Sequence, residues 1–232
     1  MKNVQLNGFL KNYWPLIIAF SILFVPGLIF FSIHPYSIPS CPVNSICSSV
    51  HNPMGVLTSI FLFDGIGNIV GAFVYFLVFV LADLMLYDEI KRKRIVFASI
   101  YMYVGGVAAN LFGLITMPRV IFYGQSGVVY SFMGIVFGFI VLNLFSAVRN
   151  VKKGTIKRLG SKKYSYYKRF SLYFNLIFFI IILLEVVIEP SLFLSKALGV
   201  DTPIHGVAFL LGILFVLAAG IIKRAVNKNG NF

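Results

Sequence analysis

Charge is scarce in this chain. Only 12% of its 232 residues are Asp, Glu, Lys or Arg, and seven of those are acidic against twenty basic. Soluble domains carry about 25% charged residues. The rest is oily: 59% of the residues are hydrophobic and the mean hydropathy is +0.92. A soluble protein with a very large core would still interrupt its apolar runs. Here the stretches Trp14–Phe31, Ile95–Met117 and Ile204–Ile222 are each close to the ~20 apolar residues that cross a bilayer. The chain therefore reads as an all-α polytopic membrane protein.

Metal-ligating residues are equally sparse. There are two cysteines, Cys41 and Cys47 in CPVNSIC, and three histidines, His34, His51 and His205, with no zinc-like spacing among them. Neither a metal site nor a cofactor is expected. Outside the cytoplasm the two cysteines could be bridged, and a disulfide and a pair of free thiols both remain open. Internal repeats, low-complexity tracts and a second domain are also lacking, so residues 1–232 form one membrane domain. The first apolar run is too long for a cleaved signal peptide, and no A-x-A-like site follows it.

Six spans are predicted, at about 14–31, 66–87, 95–117, 126–148, 170–189 and 204–222. An apolar preface, Pro53–Gly65, would overfill the second and reads as a surface-lying or re-entrant approach to it. Eighteen of the twenty basic residues then fall on one side, leaving only Arg119 and Lys196 on the other. The positive-inside rule puts both termini in the cytoplasm, as expected for a multi-pass protein of the cell membrane. The net charge of +13 is accounted for by topology and by attraction to anionic head groups. The loop RNVKKGTIKRLGSKKYSYYKR, residues 149–169, is basic and tyrosine-rich, but it resembles no RNA-binding module, and no nucleic acid partner is expected.

In this topology the second, fourth and sixth spans all begin at the outer face. Their first turns carry Asn68, Ser126 and His205 at similar depth. A serine hydroxyl is a weak nucleophile at neutral pH and needs a base within hydrogen-bond reach, for which imidazole is suited. A tetrahedral intermediate needs donors for its oxyanion, which the Asn68 amide and the first backbone N–H groups of the fourth helix could supply. No carboxylate is placed to orient His205, so the residues point to a Ser–His dyad. Asp64, Asp83 and Glu185, acidic residues in or near spans, are left without an assigned role.

These residues also carry a resemblance. GQSGVVYSFMG, residues 124–134, resembles the GxSGxxY stretch of the rhomboid intramembrane serine proteases. VDTPIHGVAFLLG, residues 200–212, is similar to their last helix, with Ala208 and Gly212 as the small residues at +3 and +7 from the histidine. FDGIGNIVG, residues 63–71, resembles the start of their second helix, and YMYVGGVAANLFGL suits their third. The chain departs from the family in having Asp64 four residues before Asn68, where a histidine is common. Its first outer loop is short and lacks the tryptophan–arginine element, and Ala208 stands where glycine is frequent.

The resemblance implies a six-helix rhomboid-like bundle that cleaves transmembrane proteins near the outer face, with substrate entering laterally from lipid. It implies Ser126 as nucleophile, His205 as general base and acid, and Asn68 at the oxyanion. Gly124, Gly127, Tyr130, Ala208 and Gly212 would support them, the Tyr130 ring packing on the histidine. Two rival readings are an inactive relative that binds membrane clients, and a small transporter using the polar cluster as a solute site. Transporters of the latter kind commonly show paired half-repeats, which are not seen in this sequence.

Overall fold

The computed structural model describes residues 2–33, 47, 49, 51–62, 66–84, 91–117, 124–152, 161–188 and 202–229. Its helices are α1 (Lys2–Ile33), α2 (Gly55–Thr58), α3 (Ile66–Leu84), α4 (Lys91–Thr116), α5 (Ser126–Lys152), α6 (Ser161–Ile188) and α7 (Thr202–Asn229), with a 3-10 turn at Ser59–Phe61 between α2 and α3. There is no strand among the described residues.

Four stretches are long and apolar enough to cross a membrane: Asn12–Ile33, Arg94–Thr116, Ser126–Phe145 and Pro203–Gly220. A fifth arises if Gly55–Phe61 and Ile66–Leu81 are counted as one broken span, the two parts being bent by 84°. The apolar stretch Leu172–Leu184 of α6 is shorter. The fold is thus all-helical and compatible with a multi-pass integral membrane protein, with four or five such spans where the sequence predicts six. The 84° bend falls within the apolar preface, which forms a short helix of its own.

Several helices outrun the apolar segments that announced them. α5 continues to Lys152 and α6 starts at Ser161, so the ends of the basic 149–169 segment are helical. Hydropathy delimits the oily part of a helix, whereas Lys and Arg are good helix formers that prolong it. Pro15 and Pro26 lie inside α1. Proline is tolerated in apolar helices where neighbours satisfy the freed carbonyls.

Side-chain contacts fix the helix directions. Tyr130 meets His205, Gly134 meets Phe209 and Gly138 meets Val216, so α5 and α7 run parallel. Gly106 packs on Val128 and Phe97 on Phe139, so α4 is antiparallel to α5. Contacts of Leu23 with Gln125 and of Phe20 with Phe132 make α1 antiparallel as well. Asn143 and Phe137 of α5 meet Asn175 and Phe179 of α6, again antiparallel. The helix termini bearing Lys91–Arg94, Arg149, Lys152, Lys223 and Arg224 therefore lie at the end of the bundle opposite Ser126.

α5 is the axis of the bundle. Residues Gly124–Val136 are buried except for the half-buried Tyr130. A helix that is apolar on all sides belongs in an interior. The outer helices instead show large apolar side chains to their surroundings, among them Ile18 and Ile22 on α1, Phe73 and Val74 on α3, Ile177 and Ile181 on α6 and Leu210 on α7. Lipid is the environment that accepts such faces.

Two glycines set the α5–α7 distance. A methyl group on Gly134 would fall on the Phe209 carbonyl oxygen, and one on Gly212 would fall on the Ser131 carbonyl oxygen. Small residues permit this backbone-to-backbone approach. Gly134→Ala and Gly212→Ala are each expected to lower stability by about 1–3 kcal/mol, the usual cost of overpacking. Gly71→Ala, which adds its methyl into open space, should not. Thermal unfolding of the three purified variants in detergent is the measurement.

Candidate active site

The link into α5 is held from two sides. Gly124 has φ 118°, a backbone conformation that side chains disfavour. Its N–H donates to the Ser59 carbonyl at 3.0 Å. The buried Gln125 donates from Nε2 to the Leu23 carbonyl at 2.7 Å. The Gln125 carbonyl in turn accepts from the N–H groups of Val128 and Val129, which closes the first turn of α5. Ser126 is the first residue of that helix and is 9% exposed. It stands where unpaired amides and the positive end of the helix dipole gather, a favourable place for developing negative charge.

One turn further along the same face lies Tyr130. Its ring stacks on the His205 imidazole with centroids 4.3 Å apart and planes inclined by 18°. His205 is 6% exposed, in the first turn of α7. Beneath the pair, Ala208 packs with Ala109 and Ile204 in a small buried cluster that also touches Tyr130, Met117 and Val207. A larger residue at position 208 would push into that cluster.

The structure therefore brings Tyr130 and His205 into contact and sets Ser126 one helical turn from Tyr130. Among the described residues no hydrogen bond joins the Ser126 hydroxyl to the imidazole. Catalytic pairs are often loose without substrate and tighten on binding. Asn68 is half-buried in the first turn of α3. Gly127 is in a different position from Gly134: a methyl group on it would be 3.6 Å from the Asn110 Oδ1 and from the Gly106 carbonyl, ordinary contact. Packing does not demand glycine there.

Asp64, Arg119, Lys196 and Cys41 fall outside the described residues, and the side chains of Asp83 and Glu185 do as well. Cys47 is disulfide-bonded, which resolves the choice left open above for that residue. No cluster of three metal-ligating side chains occurs among the described residues.

Three residues near the site were not singled out in the sequence. They are Ser59, Asn110 and Gln125, all buried. Asn110 alone gave a signal, as an amide inside an apolar span, where polar groups tend to be functional. Gln125 is anchored by the Leu23 carbonyl, and Ser59 by the Gly124 N–H and the Asn110 amide, all remote in sequence, and no local pattern marks such partners.

No family model matches the chain, and no curated protein or solved structure matches it.

Replacing Gly124 by Ala forces a side chain into a strained backbone conformation, a cost of roughly 1–3 kcal/mol. Gly124→Ala is expected to lower the unfolding midpoint and to loosen the start of α5. Hydrogen exchange of the peptide spanning residues 124–130 should rise above wild type. Unchanged exchange and midpoint would show that the link adapts without strain.

Proposed function

We propose that this protein is an intramembrane serine endopeptidase of rhomboid type, acting on transmembrane proteins through a Ser126–His205 dyad. The observation that carries the reading is the Tyr130–His205 stack one turn from Ser126, between parallel helices in backbone contact. That arrangement holds a base on the face of α5 that bears the serine, at the helix end best suited to an oxyanion.

In this mechanism the Ser126 Oγ attacks the scissile carbonyl while its proton passes to His205. The resulting oxyanion is met by the Asn68 amide and by the first N–H groups of α5. Collapse breaks the C–N bond, and the imidazolium returns the proton to the departing amine. Water, deprotonated by His205, then hydrolyses the acyl-enzyme and frees Ser126. Transmembrane substrates reach the site from the lipid, and their helices must unwind locally, because a helical backbone withholds its carbonyl from attack. Both termini would lie in the cytoplasm and the dyad towards the outer face of the cell membrane, in keeping with the basic helix ends at the opposite pole.

Ser126→Ala and His205→Ala are each expected to abolish cleavage of a model transmembrane substrate in proteoliposomes and labelling by a serine-directed fluorophosphonate. The double variant should be no worse than either single one, since residues acting as a unit are non-additive. Asn68→Ala should retain activity lowered by up to ~10²–10³. Cleavage by Ser126→Ala at the wild-type rate would refute the proposal. A wild type that neither labels nor cleaves any membrane substrate would favour a client-binding protein instead.

A further inference from the structure

We infer that Asn110 is a positioning residue for the nucleophile, acting through Ser59 on the link that carries Ser126; the inference rests on the protease reading above. Asn110 is on α4, near its C-terminal end, and is 5% exposed. Its Nδ2 donates to the Ser59 Oγ at 3.2 Å. Ser59 is fully buried, and its carbonyl accepts the Gly124 N–H, two residues before Ser126. The other side of the Asn110 amide faces the first turn of α5, with Oδ1 3.6 Å from the point a methyl group on Gly127 would occupy. One side chain is thus hydrogen-bonded to the short segment Gly55–Phe61 and faces the start of the helix bearing the nucleophile.

The need for such a brace follows from Gly124. Glycine takes many backbone conformations at little cost, so its φ of 118° is kept by the contacts around it. The Gln125 side chain holds the link towards α1. The opposite hold is the Ser59 carbonyl, and Ser59 belongs to a 3-10 turn of three residues that has no stiffness of its own. Asn110 fixes that turn to α4. Without it the carbonyl can drift and Gly124 can relax, moving Ser126 relative to His205. Misplacement by ~1 Å can cost ~10²-fold in rate.

A purely structural Asn110 would behave differently. A single interhelical hydrogen bond in a membrane contributes little to stability, so losing it would move the unfolding midpoint slightly and leave turnover per folded molecule unchanged. The experiment measures kcat, KM and the unfolding midpoint for Asn110→Ala, Ser59→Ala and the double variant of the full chain in proteoliposomes. Ser99→Ala serves as control, because it removes a buried side-chain hydrogen bond within α4, to the Ile95 carbonyl. The expected result is a fall in kcat of ~10–10² for each single variant, with KM unchanged and fluorophosphonate labelling slowed in parallel. The double variant should lose no more than the worse single one, and Ser99→Ala should match wild type.

Wild-type kcat in Asn110→Ala would overturn the inference while leaving the protease reading intact. Losses that multiply in the double variant would also overturn it, since the two residues would then act separately. A wild type that neither cleaves nor labels would remove the protease reading and this inference together. If Asn110→Ala does not fold, Ser59→Ala decides, because it deletes only the hydroxyl that Asn110 holds.

Discussion

Everything at the candidate site depends on how closely α5 and α7 approach. Gly134 against the Phe209 carbonyl and Gly212 against the Ser131 carbonyl leave no room for side chains between the two helices. In lipid there is no hydrophobic force to press helices together, so close van der Waals packing must do so. The two helices run parallel, hence their N-termini coincide, and Ser126 and His205 are brought to one level. A wider spacing at Gly134 would carry the imidazole away from the serine even with both residues intact.

The remaining helices attach by different means. α4 uses the same small-residue device, with Gly105 against Ser131 and Gly106 against Val128. α3 meets α5 through rings instead, and α6 through rings and the Asn143–Asn175 hydrogen bond. Phe79 of α3 lies 5.8 Å from both Phe132 and Phe139, and Phe179 of α6 is stacked 5.2 Å from Phe137. Ring contacts of this kind tolerate sliding better than backbone contacts, because aromatic pairs are favourable over a range of offsets. α4 and α7 thus hold α5 by backbone-close packing, α1 by the Gln125–Leu23 hydrogen bond and the Phe20–Phe132 pair, and α3 and α6 flank it.

Much of the architecture could be read directly from the residues. Apolar runs placed the long helices, and six of them are found, four being long and apolar enough on their described residues to cross a membrane. The helix ends were not readable, because basic residues end an apolar run without ending a helix, as at Lys152 and Ser161. Counting spans also put the starts of the helices bearing Ser126 and His205 at one end, as the parallel α5 and α7 do. What stayed hidden was the bracing. Ser59 is an ordinary serine in an apolar stretch, and its importance comes from a carbonyl that meets Gly124, 65 positions away in a chain whose contacts no spacing rule foretells. Local pattern reports which face of a helix is oily; it does not report which remote backbone oxygen a loop amide will find.

The two poles of the bundle divide the labour that a membrane imposes. One pole gathers basic helix ends, residues of the kind that favour anionic head groups. The other gathers buried amides and hydroxyls, Ser59, Asn110, Gln125 and Ser126, each costly to place in an oily interior unless hydrogen-bonded. Three of the four have an identified job in holding the link before α5: Ser59 through its carbonyl, Asn110 through Ser59, and Gln125 through Leu23. Ser126 makes no such hydrogen bond among the described residues. Three members of this polar cluster thus fix the link that carries the fourth, and what they hold in place is the start of α5, one turn before the Tyr130 ring that stacks on His205.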